Sequence, residues 1–289
     1  MHYSPISSIY INTREFLIKR DDLIDPYLAG NKYRKLYTLL NTPSNKINKI
    51  ISYGGTQSNA MLAIAAMCQT KQWEFVYYTK PISDTQKKQT VGNYADALSL
   101  GMQHIEIELE FYKEFIASLR LNLEEKSFII DQGGANKEAI DGVRVLAQEI
   151  RGVNLDFDAI AIPSGTGTTA LHLALCLPEY KVYTTASIGD SAYLKEQMSA
   201  FGVIPKNLVI LESNKKYHFA KPYKEFIEIY MFLKDAGIEF DLLYAPLLWK
   251  CLLEQTTEKI LYIHSGGVSG NKSMLERYKQ KKFIKEEKD

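Results

Sequence analysis

The chain has 289 residues, 46% apolar and 24% charged, with a formal net charge of +1, which suits a globular protein of one large domain or two moderate ones. So balanced a charge argues against a general electrostatic attraction to nucleic acid or acidic membranes. No apolar run approaches the length of a membrane span, and the N-terminus lacks the charged-then-apolar plan of a signal peptide. Three scattered cysteines, Cys68, Cys176 and Cys251, without CxxC spacing, read as buried free thiols, so a soluble, cytoplasmic protein is expected.

In chain order, Glu15–Arg20 reads as a strand and Asp21–Leu28 as a turn. The run Ala29-Gly30-Asn31-Lys32-Tyr33-Arg34-Lys35-Leu36 then opens a helix whose apolar residues Tyr33, Leu36, Tyr37 and Leu40 keep helical spacing. Lys32 falls in its first turn beside the apolar stripe, where the helix dipole and partial burial both lower an amine pKa. Taken alone, a lysine so placed is more often solvated, with a buried stem. Lys49–Tyr53 reads as a strand, followed by Gly54-Gly55 and a buried helix over Gln57–Thr70. Glu74–Thr79 is a strand and Gln86–Leu100 a helix stopped by Gly101. Ile105, Ile107 and Leu109 alternate with glutamates as in a half-wet strand; a helix to about Asn122 and a strand Ser127–Asp131 follow.

Beyond Gly133-Gly134 a helix carries Val143, Leu146, Ala147 and Ile150 on one face. Strand Asp158–Pro163, helix Thr168–Leu177, strand Lys181–Ser187, helix Ser191–Ala200 and strand Leu208–Glu212 repeat the alternation. Helix Tyr223–Ala236, strand Lys259–His264 and a charged tail from Lys279 complete the chain. The pattern predicts an α/β fold with mainly parallel sheets covered by helices, most simply in two domains.

Four junctions between strand and helix combine glycine with small polar residues: Gly54-Gly55-Thr56-Gln57-Ser58-Asn59, Gly133-Gly134-Ala135-Asn136, Ser164-Gly165-Thr166-Gly167-Thr168-Thr169 and Ser265-Gly266-Gly267. In parallel sheets ligands bind beyond the carboxyl ends of the strands, and such turns offer free N–H groups to an anion. Ser164–Thr169 also has the GxGxxA spacing (Gly165, Gly167, Ala170) of a dinucleotide fingerprint, with Asp190 about 20 residues on, so a nicotinamide-dependent oxidoreductase is a rival reading. It leaves Lys32 and Gln57–Asn59 without a role. Gly270-Asn271-Lys272-Ser273 lacks the lysine after glycine of a Walker loop, no histidine pair has metal-ligand spacing, and there is no GxSxG elbow. An early-helix lysine together with a lysine-free phosphate cradle points to pyridoxal phosphate (PLP), which needs an amine, an anion nest and a partner for its ring nitrogen.

Lys19-Arg20-Asp21-Asp22 followed by Gly30–Leu36 resembles the KRDD…GNKxRKL signature of the 1-aminocyclopropane-1-carboxylate (ACC) deaminase/D-cysteine desulfhydrase family. Gly54–Asn59, Ser164–Thr169 and His264-Ser265-Gly266-Gly267 resemble that family's GGxQSNH, SGSGGT and HTGG blocks, in the same order over residues 15–270. The resemblance implies two open, mainly parallel twisted sheets of the tryptophan-synthase β type (PLP fold type II). Residues 1–37 and 132–289 would form the larger, cofactor-binding domain and 38–131 an inserted smaller one. It implies a Schiff base on Lys32, which also moves the substrate proton, and a phosphate held by Ser164, Gly165, Thr166, Gly167, Thr168 and Thr169. Asn59 would meet the cofactor's phenolic oxygen and Ser265 its ring nitrogen. Ser58 would serve as substrate-carboxylate ligand or second acid/base, and Tyr244 falls where the family has an active-site tyrosine. Gln57, Ser58, Asn59 and Phe219 would line the substrate, in a homodimer that holds no metal.

The departures steer the expected reaction. Ala60 replaces the residue after QSN, Phe219 stands for a second tyrosine, and Ala245 occupies the position of the glutamate that ACC deaminases place beside the pyridine nitrogen. A serine hydroxyl holds a mostly neutral ring, a weaker electron sink than a pyridinium. β-Elimination from a cysteine- or serine-like amino acid, giving pyruvate and ammonia, is therefore expected ahead of ACC ring opening. A non-catalytic PLP-binding protein is a further alternative.

Overall fold

A computed structural model describes residues 4–28, 30–88, 90–134 and 139–284. It opens on a hairpin absent from the sequence reading: β1 (Ile6–Ile11) pairs antiparallel with β2 (Arg14–Lys19). A turn over Asp21–Leu23 leads to α1 (Asn31–Lys35) and α2 (Tyr37–Asn41). The expected single helix is thus interrupted at Leu36, whose φ and ψ of −91° and 4° let both segments turn apolar side chains into one core.

Next come β3 (Lys49–Tyr53), α3 (Asn59–Lys71), β4 (Glu74–Thr79), α4 (Asp84–Lys87), α5 (Asn93–Ser99), β5 (Met102–Glu106), α6 (Leu109–Ser118) and β6 (Ser127–Ile130). The four strands form one parallel sheet in the order β5-β4-β3-β6. Two expectations are corrected here. The helix over 86–100 is two helices, because Gly92 takes a φ of 98° that ends helical continuity before Asn93. The alternation through Leu109 is not all strand. Its partner β4 stops at Thr79, two residues before Pro81, so pairing ends near Glu106 and Leu109 begins α6 with its side chain 65% exposed.

The second half contains α7 (Ala139–Arg151), β7 (Ala159–Ala161), α8 (Thr168–Cys176), β8 (Lys181–Thr184), α9 (Ser191–Ser199), β9 (Leu208–Ile210), α10 (Lys224–Asp235), α11 (Ala245–Gln255), β10 (Ile260–Ile263) and α12 (Asn271–Gln280). Helices α11 and α12 were not anticipated. With the N-terminal hairpin these strands form a six-stranded sheet ordered β1-β2-β10-β7-β8-β9, parallel except for β1. One face packs against Val143, Leu146, Ala147 and Ile150 of α7 together with α8 and α9; the other packs against α10 and α11 around Trp249. The smaller sheet shares a core with α2 and α3. The carboxyl ends of β3, β6, β7 and β10 carry the four glycine junctions.

Candidate active site

The junctions meet. A side chain on Gly54 would come within 3.5 Å of Gln132, one on Gly133 within 3.6 Å of Thr166, and one on Gly267 within 2.6 Å of the Asn59 amide nitrogen. Gly30, at φ 62°, lies so close to the last junction that a Cβ would sit 1.9 Å from the Ser265 carbonyl oxygen. The Asn31 N–H donates to that same oxygen at 3.3 Å. Helix α1 is therefore pressed backbone to backbone onto the loop after β10, and this sets where Lys32 stands. Of the stretch expected to open the helix, Ala29 lies outside the described residues, as do Ala135 and Asn136 of the second junction.

A buried charge network holds α1 from below. Arg34 donates through Nε and Nη2 to Asp21 at 2.9 Å each and through Nη1 and Nη2 to Glu149 at 2.7 and 2.9 Å. Lys19 pairs with Glu149 at 2.6 Å and with Asp21 at 3.5 Å. Two cations and two carboxylates, each almost wholly buried, thus join β2, the turn after it, α1 and α7. Burial works against the Asp21 carboxylate, but its bonds to Arg34 and the charge of Lys19 leave its pKa below the usual value. Gly142 brings α7 so close to α1 that a Cβ there would lie 1.8 Å from the Arg34 carbonyl oxygen. The charged residues of the signature shape the lysine's platform rather than the pocket.

Lys32 is partly buried, and its ammonium donates to Asn31 Oδ1 at 3.1 Å. Removal of water lowers its pKa to about 8, against the opposing charge of Asp241. The amine is thus mostly charged at neutral pH but readily freed for reaction with a carbonyl. Lys35, one helical turn on, is buried and donates to the Gly133 carbonyl at 3.2 Å. Burial, then the charge of Lys32, push its pKa well below normal. No role was assigned to Lys35 from sequence, although its i, i+3 spacing from Lys32 puts both amines on one helix face.

In the Ser164–Thr169 loop Gly167 takes φ 75° at the start of α8, and a Cβ would press to 2.5 Å from Met198 Cε. A Cβ on Gly165 would lie 3.2 Å from the Tyr244 ring. Ser164 accepts from the Thr184 hydroxyl at 2.7 Å, and the hydroxyls of Thr166 and Thr168 are 3.0 Å apart. Thr168 and Thr169 are buried in the first turn of α8, where N–H groups have no helical acceptor. Thr169 Oγ1 and Ser265 Oγ are both buried without a hydrogen-bond partner among the described residues. Burying such hydroxyls unpaired is costly, and they suit a ligand that presents an anion at one end and a hydrogen-bonding ring atom at the other. PLP fits that description, and the residues present can hold it. Asp190, the acid the dinucleotide reading required, caps α9 by accepting from the Tyr193 N–H at 2.9 Å.

Ser58 caps α3, accepting from the Met61 N–H at 3.2 Å, and the nearby Tyr77 hydroxyl donates to the Gly55 carbonyl at 3.2 Å. Asn59 accepts on Oδ1 from Asn93 at 2.7 Å, which leaves its NH2 group to face Gly267. Asn93, fully buried and unforeseen, also donates to the Gln57 carbonyl at 3.1 Å and accepts from Ser269 at 2.9 Å. The Gln57 side chain is exposed and meets Ser273 at 3.2 Å. The Tyr244 ring lies 5.2 Å from that of Phe219, which is 40% exposed at the rim. Burial raises the Tyr244 pKa, so the phenol stays protonated. Ala60 is buried at the start of α3, and Ala245 packs into the apolar cluster around Trp249 and Phe16. Among the described residues no group of side chains could hold a metal ion, and no helix is long and apolar enough to cross a membrane.

Residues 2–188 match the family of pyridoxal-phosphate dependent enzymes. A Thermotoga maritima protein, provisionally named as an ACC deaminase, is 28% identical over 285 residues, covering 88% of each chain. The mitochondrial bifunctional D-cysteine desulfhydrase/ACC deaminase of Arabidopsis thaliana is 25% identical, covering 90% of this chain and 74% of that one. D-cysteine desulfhydrase of Serratia proteamaculans is also 25% identical, over 88% and 87%. The crystal structure of an ACC deaminase homologue superposes with a TM-score of 0.76 at 23% identity, covering 96% of this chain and 94% of that one.

Proposed function

The chain belongs to the pyridoxal-phosphate dependent enzymes, and on that premise we propose that it is a lyase for β-elimination from a small amino acid of the D-cysteine type, releasing pyruvate and ammonia. Its sheets are those of PLP fold type II, and PLP is its cofactor. Bound PLP supplies an aldehyde for an amine and a conjugated ring that accepts the electron pair of a broken bond at the substrate's α-carbon.

In this reading Lys32, whose amine is held near pKa 8 by burial, would hold the cofactor's aldehyde and would move the α-proton. The Ser164–Thr169 loop binds the phosphate, joined by Lys35 through the wall it forms with Gly133. Asn59 offers its NH2 group to the phenolic oxygen, held in that orientation by Asn93. Ser58 meets the substrate carboxylate, and Tyr244 and Phe219 bound the side-chain end. Residues 38–131 move as the smaller domain, whose closure excludes water. A homodimer in the cytoplasm completes the proposal.

The observation that carries the choice of reaction is the buried, unpartnered Ser265 hydroxyl. It can hydrogen-bond a neutral ring nitrogen but cannot fix a proton on it as a carboxylate does, and Ala245 supplies no acid. A weaker sink favours a reaction whose leaving group departs early. ACC ring opening is the second reading, favoured by the names of the Thermotoga and Arabidopsis relatives.

The test is pyruvate release by the purified, PLP-loaded protein from D- and L-cysteine, D- and L-serine and ACC. Release from one cysteine or serine enantiomer, with ACC at least tenfold slower, is expected. Equal turnover of ACC and D-cysteine removes the basis for the preference. A protein that stays colourless with PLP, or whose visible absorbance survives Lys32→Ala, refutes the assignment of the lysine.

A further inference from the structure

Asn93 opens α5 immediately after Gly92, and its side chain is fully buried. A carboxamide has two N–H bonds to give and an oxygen to accept with, and here both ends are engaged. Nδ2 donates to the Gln57 carbonyl at 3.1 Å and to Asn59 Oδ1 at 2.7 Å, while Oδ1 accepts from the Ser269 hydroxyl at 2.9 Å. The Gln57 carbonyl can only accept, so it fixes which end of Asn93 is the NH2 group. Asn59 must then turn its oxygen to Asn93 and its own NH2 group away. On that side lies the turn after β10: a Cβ on Gly267 would come 2.6 Å from Asn59 Nδ2, and one on Gly270 3.9 Å from Asn59 Oδ1. The Gly270 N–H closes that turn on the Gly267 carbonyl at 3.2 Å. Ser273 joins it to Gln57 a second time, its hydroxyl lying 3.2 Å from Gln57 Oε1 and 3.0 Å from the Gly270 carbonyl.

We propose that Ser269 and Asn93 are positioning residues that tie two edges of the cofactor site together: the loop carrying Ser265 sets, through Ser269 and Asn93, the orientation of the Asn59 amide. The relay runs from a loop of the six-stranded sheet to the starts of α3 and α5 beside the four-stranded one. The amide is fully held only while those two layers are engaged, because parting them leaves the buried Asn93 oxygen without its donor. A donor to the cofactor's phenolic oxygen favours the anionic form of that oxygen, the form that colours a PLP-loaded protein yellow. This deepens the proposed function, since it rests on Asn59 meeting the phenolic oxygen.

The test uses the full-length protein loaded with PLP and reads two quantities by absorbance: cofactor affinity, and the ratio of yellow to near-ultraviolet absorbance. Ser269→Ala removes only the hydroxyl donor. Affinity is expected to fall about two- to tenfold, with loss of yellow relative to near-ultraviolet absorbance, and Ser269→Thr, which keeps the hydroxyl, is expected to behave as the parent. Asn93→Asp keeps the shape but sets acceptors against the Gln57 carbonyl and Asn59 Oδ1, so the Asn59 amide must turn over. Affinity is then expected to fall about ten- to a hundredfold with the same spectral change. Asn59→Ala should lose that absorbance as well, and Ser269→Ala added to it should change the ratio no further. A folded Ser269→Ala or Asn93→Asp protein with the parent's affinity and ratio overturns the proposal, even if its urea midpoint is lower, since a purely structural role leaves the spectrum alone. Should Asn93→Asp not fold, the two Ser269 variants decide. If the ratio shifts as expected while no amino acid yields pyruvate, the positioning role stands and the assignment of the reaction fails.

Discussion

Gly30→Ala tests how tightly the lysine's position depends on its own backbone. The added methyl would lie 1.9 Å from the Ser265 oxygen, 2.0 Å from the Ser265 carbonyl carbon and 2.5 Å from the Gly266 nitrogen, all main-chain atoms that cannot rotate aside. Ordinary contact is about 3.5 Å, so the two backbones must part by about 1.5 Å. At φ 62° and ψ −137° an L-residue also carries strain of about 1–3 kcal/mol, and overpacking adds about 1–3 kcal/mol. A loss of about 2–6 kcal/mol in urea unfolding is therefore expected. The shift also moves Lys32 away from Ser265, and a displacement of about 1 Å at a reacting group costs roughly a hundredfold, so PLP affinity, read by absorbance titration, should fall too. Gly101→Ala is the control: its φ is 93° but nothing lies within 4 Å of the added carbon, so it carries backbone strain alone. If Gly30→Ala costs no more than Gly101→Ala and binds PLP as tightly as the parent, the reasoning fails.

Other outcomes follow from the charges. Because the folded pKa of Lys32 is about 8 against an ordinary 10.5, the unfolded chain binds the proton more tightly; the cost is full below pH 8 and disappears as pH rises to 10.5. Cofactor-free Lys32→Met should thus be more stable than the parent at pH 7, by at most about 3 kcal/mol, with the gap closing by about pH 10.5; a gap independent of pH assigns it to packing instead. Arg34→Met strands Asp21 and Glu149 with Lys19 alone and should cost about 3–5 kcal/mol, seen as a lower urea midpoint; a loss under about 1 kcal/mol would show that the network relaxes by taking up protons.

What could be read before folding depended on how local each cause was. Lys49–Tyr53 and Glu74–Thr79 match their strands residue for residue, because short apolar runs between glycine, proline and polar turns admit little else. β1 was missed because Ile6–Ile11 contains two serines and becomes a strand by pairing with β2. Helix α12 was missed because most of its surface is polar and only Asn271, Met274 and Tyr278 are buried. At the site, Lys32 and the glycine junctions announce themselves by spacing and by backbone freedom. Lys35 and Asn93 do not, since each is an ordinary polar residue made significant by burial against partners distant in sequence.

The position of β2 has a consequence for the order in which the molecule can be built. That strand lies between β1 and β10, so its inner edge is filled only by residues from near the far end of the chain. The segment carrying Lys32 leaves the ribosome early, but its seat does not exist until Ile260–Ile263 and the Ser265 loop have emerged. Pairing so distant in sequence is slow to form. Until then the nascent chain carries Lys32 on a helix without its floor, and the smaller sheet, complete by Ile130, can assemble first.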